Sequence, residues 1–166
     1  EAMDIKRHIA LFFCNRFCAG TRFFALKRSL LRFAGYQIGD GTKVVGPVFC
    51  TGMLAIGENC WIGRELKIYG NGEVIIGNHC DLGPEVTFLT GGHTIGNAER
   101  RAGSGESYRI RVEDGCWLGA KTTLLGNITL GEGSVLAACG CAVRDIPPNT
   151  LAGGVPAKEI RRLHEG

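Results

Sequence analysis

Apolar residues in this chain return every six positions, not every two or every 3.6. Aliphatic–glycine pairs stand at Ile38-Gly39, Ile56-Gly57, Ile62-Gly63, Ile76-Gly77, Leu82-Gly83, Leu118-Gly119 and Leu130-Gly131. Val44, Ile68, Phe88, Val112, Leu124 and Leu136 fill most of the slots between them. The phase holds from residue 38 to 68, slips by two residues around Asn71-Gly72, and holds again from 76 to 94. It resumes at Val112 and runs to Ala142. Four residues after each aliphatic position sits something small or compact, such as Thr42, Cys60, Cys80, Cys116, Thr122 or Ser134. A six-residue period fits a short strand plus a corner, with glycine easing the tight backbone. Three such units make a triangular coil of about 18 residues, and stacked coils bury the aliphatic column. The pattern predicts an all-β fold, a parallel β-helix of hexapeptide units, over residues 37–155.

The two ends read differently. Ile5, Ile9, Phe12, Phe13 and Phe17, then Phe23, Phe24, Leu26, Leu30 and Leu31, recur at helical spacing with Gly20 between the runs. Residues 1–36 are therefore expected to form two amphipathic helices. They either cap the open first coil or lie on a membrane surface, which their basic and aromatic mix suits. From Pro156 to residue 166 a short basic C-terminal helix is expected, with the proline at its start. Within the repeat region, Asn97 to Arg111 is polar, glycine-containing and longer than a corner requires, which marks it as an excursion loop.

Composition narrows the function. Glycine is 26 of 166 residues, about twice the usual 7% share, as frequent corners demand. Residues 1–36 carry seven Lys/Arg against two acids, while the whole chain is only +3, which gives no nucleic-acid footprint. The longest apolar stretch near the N-terminus, Ile9 to Cys14, is far short of a membrane span. The eight cysteines lack a Cys-x-x-Cys pair, so they read as small buried hydrophobes in a reducing cytosol, without disulfides or zinc.

The most specific motifs are Thr90-Gly91-Gly92-His93, Cys116-Trp117-Leu118-Gly119-Ala120, Arg144-Asp145-Ile146-Pro147-Pro148-Asn149 and Ala152-Gly153-Gly154-Val155-Pro156-Ala157-Lys158-Glu159-Ile160-Arg161. With their spacing, they resemble the hexapeptide-repeat acyltransferases with a left-handed β-helix, specifically the galactoside/maltose/xenobiotic acetyltransferase group. The Leu-Leu-Arg-Phe-Ala-Gly run at residues 30–35 is similar to sugar O-acetyltransferases of surface-polysaccharide pathways. The resemblance implies acetyl transfer from acetyl-CoA to a sugar hydroxyl, free or lipid- or nucleotide-linked. It also implies a homotrimer with sites between subunits, in the cytoplasm or at the inner membrane face.

An alcohol is a poor nucleophile at neutral pH, so a positioned base must take its proton, a task that suits imidazole. Of four histidines, His8 and His164 lie in charged terminal segments and His79 in a Gly-Asn-His-Cys-Asp corner. His93 follows two glycines just before the excursion, and together with the family motif this makes it the expected catalytic base. The resemblance further places CoA against Gly119, Ala120 and Ala138, with Val143 and Arg144 near the nucleotide end and Lys158 and Arg161 on its phosphates. Trp117 matches the family's tryptophan. By the same route the acceptor is expected near Gly63, Asn71, Glu85 and Tyr108, the last within the excursion. Galactoside-type members have Asn at Gly63 and an acid at Asn71, so this chain departs from them there. Glu85 is also a candidate for orienting His93. A non-sugar acceptor (xenobiotic or serine-like) and a non-catalytic scaffold are the competing functions. No metal is expected: a β-helical zinc enzyme needs three histidine ligands, and only His79 and His93 lie in the repeat body.

Overall fold

A computed structural model describes residues 2–164, with side chains from residue 5 onward. Helices α1 (Ala2–Phe17) and α2 (Phe24–Phe33) precede about six turns of parallel β-solenoid. The chain visits three sheets in rotation. Face A stacks Gln37–Ile38, Met53–Ile56, Glu73–Ile76, Arg109–Val112 and Ile128–Leu130. Face B stacks Lys43–Val44, Trp61–Ile62, Asp81–Leu82, Trp117–Leu118, Val135–Leu136 and Thr150–Gly154. Face C stacks Val48–Cys50, Leu66–Tyr69, Thr87–Leu89, Thr123–Leu125 and Cys141–Ala142. Every neighbour in these stacks is parallel and in register, as in Ile62 beside Leu82 and Leu82 beside Leu118.

The six-residue period is thus the distance from one inward position to the same position on the next face. Ile62, Ile68, Leu82, Phe88, Leu118 and Leu124 are completely or almost completely buried in one continuous core. Each such side chain contributes about 1.5–3 kcal/mol of burial. The small position four residues after each aliphatic on face A lies at the corner between faces A and B. Thr42, Cys60, Cys80, Cys116, Ser134 and Thr150 form a buried ladder there. Its oxygen and sulfur atoms take backbone N–H groups of the coil above: Cys60 N–H donates to Thr42 Oγ1 (3.0 Å), and Thr150 N–H to Ser134 Oγ (3.3 Å). Six of the eight cysteines are buried and all are free thiols.

A parallel stack leaves the main chain of its first coil unpaired on one side, and buried polar groups must find partners. Here the N-terminal cations supply them. Arg32 Nε donates to the Ile38 carbonyl (2.8 Å), Arg28 Nη1 to that of Thr42 (3.0 Å), and Lys27 Nζ to those of Val45 (3.1 Å) and Gly20. Lys27 has no solvent exposure, and its ammonium sits 4.6 Å from the Phe24 ring centroid. Burial pushes its pKa down from the ordinary lysine range. Asn15 binds both main-chain atoms of Val48, at 2.7 and 2.9 Å. Part of the positive charge near the N-terminus is therefore spent on capping the solenoid, which a count of charges does not reveal.

Two expectations need correcting. The segment after Pro156 is not a helix: Ala157–Arg162 turns back as a strand, antiparallel to Thr150–Gly154. That strand is the last of face B and pairs on its other side with Val135–Leu136, so the return covers an otherwise open sheet edge, a gain that outweighs local helix propensity. The excursion also lies earlier than residues 97–111. It is a β-hairpin of Gly91–Ile95 and Ala102–Ser107, and Arg109–Val112 is already a face A strand, pairing with Glu73–Ile76 and Ile128–Leu130.

Replacing Lys27 with Met keeps the apolar stem but takes the ammonium from the Gly20 carbonyl and leaves that of Val45 with the Gly20 N–H alone. Urea unfolding of Lys27→Met is expected to show a loss of about 1–3 kcal/mol; unchanged stability would mean the cap does not depend on it.

Candidate functional site

The corners between faces form three edges, and most of the residues singled out from sequence fall on two of them, while Trp117, Lys158 and Arg161 lie on face B and its returning strand. Gly63, Glu85, Gly119, Ala120 and Ala138 lie on the edge between faces B and C. Asn71, the His93 hairpin, Tyr108, Val143 and Arg144 lie on the edge between faces C and A. Face C separates the two groups within one chain.

On the B–C edge the coils approach closely. A Cβ on Gly63 would lie 2.6 Å from the Gly83 carbonyl carbon, and one on Gly119 would lie 2.5 Å from Ala138 N. These positions are closed to side chains, so Gly63 cannot present a polar group to an acceptor. Glu85 takes a left-handed corner conformation (φ 62°), with a carboxylate oxygen 3.8 Å from Lys121 Nζ. It does not orient the histidine of its own chain.

His93 stands on the inserted hairpin, opposite Gly105. Its Nδ1 lies 2.9 Å from the Gly103 carbonyl oxygen. A carbonyl only accepts, so Nδ1 carries the proton and Nε2 keeps its lone pair. The imidazole is exposed and borders a cleft of about 510 Å³ lined by Tyr69, Asn71, Leu89, Glu106 and Ser107. Ser107 Oγ donates to Asn71 Oδ1 (2.7 Å), which leaves the Asn71 amide hydrogens unspent. Asn71 and His93 are thus brought together.

Tyr108 packs against the hairpin as well as facing a cleft. Its hydroxyl donates to Glu106 Oε2 (3.0 Å), a bond that holds the phenol pKa above its ordinary value. Its ring fills the space where a Cβ on Gly92 would stand. It therefore braces the hairpin strand next to His93. Tyr108 also lines a neighbouring cleft of about 790 Å³ with Asn71, Glu73, Arg109 and Asp145. There Arg109 Nε pairs with Glu73 at 2.7 Å.

Arg144 and Lys158 come together in a third cleft, of about 220 Å³, with Pro147, Ala157 and Glu159. Asp145 and Glu159 line the same cleft, so its two cations face two carboxylates. Arg161 is on the terminal strand opposite Leu151, and Val143 is exposed, one residue past the pair Leu124–Ala142. Trp117 is exposed on face B between Asp81 and Val135. No group of three or more His, Cys, Asp or Glu side chains is arranged to hold a metal ion among the described residues.

Sequence reasoning missed Gly103, Glu106 and Ser107. A backbone carbonyl leaves no side-chain signature; the only hint was Gly103-Ser104-Gly105, a flexible pair of glycines within reach of the histidine.

No family model matches the chain. Over 141 residues it is 29% identical to the galactoside O-acetyltransferase of Escherichia coli K12, covering 84% of this chain and 70% of that one. It is 28% identical over 138 residues to the E. coli K12 WcaF acetyltransferase, named for colanic acid biosynthesis (82% and 74%). Among solved structures, a hexapeptide-repeat-containing acetyltransferase from Vibrio cholerae superposes with a TM-score of 0.83 at 26% identity, covering 99% of this chain and 94% of that one. The same protein complexed with acetyl coenzyme A gives 0.79.

The tautomer is directly measurable. In ¹⁵N-correlated NMR of the neutral imidazole, His93 is expected to show a protonated Nδ1 and a bare Nε2. The opposite pattern would break the link to Gly103.

Proposed function

We propose that the chain is a hexapeptide-repeat acyltransferase with a left-handed β-helix, as its likeness to the acetyltransferases above supports, and that it moves an acetyl group from acetyl-CoA to a sugar hydroxyl with His93 as the base. The observation that carries this reading is the His93 Nδ1–Gly103 contact, which commits Nε2 to accepting a proton beside a polar cleft. The hydroxyl oxygen attacks the thioester carbonyl carbon while its proton passes to Nε2. The tetrahedral intermediate collapses with cleavage of the C–S bond, and Nε2–H returns the proton to the departing sulfur. Asn71, fixed by Ser107, is suited to hold a neighbouring sugar hydroxyl.

The donor is assigned to the remaining residues. Gly119, Ala120 and Ala138 form a narrow, side-chain-poor track for the pantetheine arm, and Val143, Arg144, Lys158 and Arg161 serve the nucleotide end. Since the track and His93 occupy different edges, one chain alone does not complete the site. A neighbouring subunit brings the B–C edge of one chain to the C–A edge of another, which supports a homotrimer. A surface-polysaccharide precursor as acceptor rests on the likeness to WcaF.

The test is His93→Ala assayed by free-thiol release from acetyl-CoA against a panel of sugars. Turnover is expected to fall roughly a hundred- to ten-thousand-fold, with acetyl-CoA affinity and oligomeric state retained; near-normal turnover would remove His93 from the role. A separate check addresses the phosphates. Lys158→Ala combined with Arg161→Ala is expected to raise KM for acetyl-CoA far more than for dephospho-CoA thioesters, each lost contact costing on the order of 1–3 kcal/mol. Equal effects on both thioesters would place the pair away from the 3′-phosphate.

A further inference from the structure

An apolar groove of about 670 Å³ runs between α1 and face C, and nothing in the chemistry above uses it. Its helical wall is Leu11 and Phe12, with His8 one turn before them and Arg16 one turn further on the same side of α1. Its floor is Pro47 and Phe49, from the first coil, and it ends at Tyr69. Asn15 holds this wall in place through its two bonds to Val48.

Tyr69 also lines the His93 cleft. It closes the second coil's strand on face C, directly beside Leu89, so the groove and the cleft meet across one exposed aromatic ring. A ligand lying in the groove therefore has one end at Asn71 and His93. The groove is long and mostly hydrocarbon, unlike the polar cleft. Its cation has no carboxylate partner: Arg16 makes no ion pair among the described residues, and its guanidinium rests 5.7 Å from the Phe17 ring. Apolar walls with one unneutralised cation at the rim match an aliphatic chain joined to an anionic group. A purely neutral apolar partner would leave Arg16 unanswered.

We propose that the acceptor is amphiphilic: its hydroxyl-bearing part sits at Asn71 and His93, and an aliphatic chain attached through an anionic group lies in the groove between α1 and face C. This deepens the acetyl-transfer reading and rests on it for the identity of the site. The N-terminal helices then do more than close the solenoid, since α1 supplies one wall of a substrate subsite.

The probe is a series of n-alkyl phosphates, butyl to decyl, kept below their micelle concentrations and titrated calorimetrically onto the intact protein. Wild-type affinity is expected to rise about two- to fourfold per added methylene until the groove is full. Phe49→Asp, a change at a half-exposed floor position, is expected to flatten that dependence. Phe33→Asp, on the exposed side of α2 outside the groove, is expected to preserve it. A second arm measures KM for alkyl glucosides and galactosides, methyl to octyl, with acetyl-CoA. There KM is expected to fall with chain length in the wild type and not in Phe49→Asp.

No chain-length dependence of phosphate binding, or the same dependence in Phe49→Asp, overturns the groove assignment. Chain-length-dependent binding with a chain-independent KM overturns the claim that the groove belongs to the acceptor. A wild-type oligomer that dissociates on Phe49→Asp substitution overturns it in favour of a second copy of this chain as the occupant. Failure of acetyl transfer itself is separately visible, since no glycoside would release thiol from acetyl-CoA while alkyl-phosphate binding persisted.

Discussion

Main-chain hydrogen bonding from each coil to the next dictates the architecture. The strands are only two to four residues long on most rungs, too short to stand alone. Stacked in parallel register, they bury one aliphatic column per face and satisfy each other's amides. That arrangement is complete everywhere except at its two ends, and the ends are handled by different means. At the first coil, Lys27, Arg28 and Arg32 donate side-chain hydrogen bonds to carbonyls that have no coil below. At the last, the strand Ala157–Arg162 folds back antiparallel over face B. Both devices address the hazard of an open edge.

The same regularity confines chemistry to the edges. Side chains within the faces either fill the core or stand in outward rows, as Lys43, Trp61, Asp81 and Trp117 do on face B. Only at the corners does the backbone leave the ladder, and only at one corner does it leave for long. The hairpin at Gly91–Ser107 carries His93, while a carbonyl of the opposite strand fixes its tautomer and Tyr108 braces it from below. The closely packed B–C corner offers the opposite property, a surface nearly free of side chains. The projecting histidine and the side-chain-poor corner therefore stand on different edges of one chain.

Legibility in the sequence followed the same division. The solenoid was readable because a core of one residue per face imprints a strict period, and Ile62, Leu82, Leu118 and Leu136 kept it. His93 stood out because it follows two glycines just before the period breaks, and the structure places it on the inserted hairpin beside a cleft. The terminal strand was misread because six residues with a leading proline carry a helical signal, whereas the force that extends them, an unpaired strand at Thr150–Gly154, is a property of the stack. Lys27 and Arg32 were counted as surface charge for a similar reason: no composition shows that a carbonyl needs them. The groove under α1 depends on which side of the helix meets face C, and α1 scatters Lys6, Arg7, His8, Asn15 and Arg16 among its apolar residues, so periodicity alone could not assign its inner face.

The inserted hairpin leaves and rejoins the coil at adjoining points. Tyr108 N–H donates to the Thr90 carbonyl at 2.8 Å, and Arg109 then pairs with Glu73 as though no residues had intervened. The fold therefore pays almost nothing for what lies between residues 90 and 108. Insertions or deletions at the hairpin's tip, between Ile95 and Ala102, alter the mouth of the cleft while His93, Gly103 and the prism beneath keep their places. Change confined to that tip can reshape the rim of the cleft without disturbing the register of any coil, so variability and constancy are kept apart within a single chain.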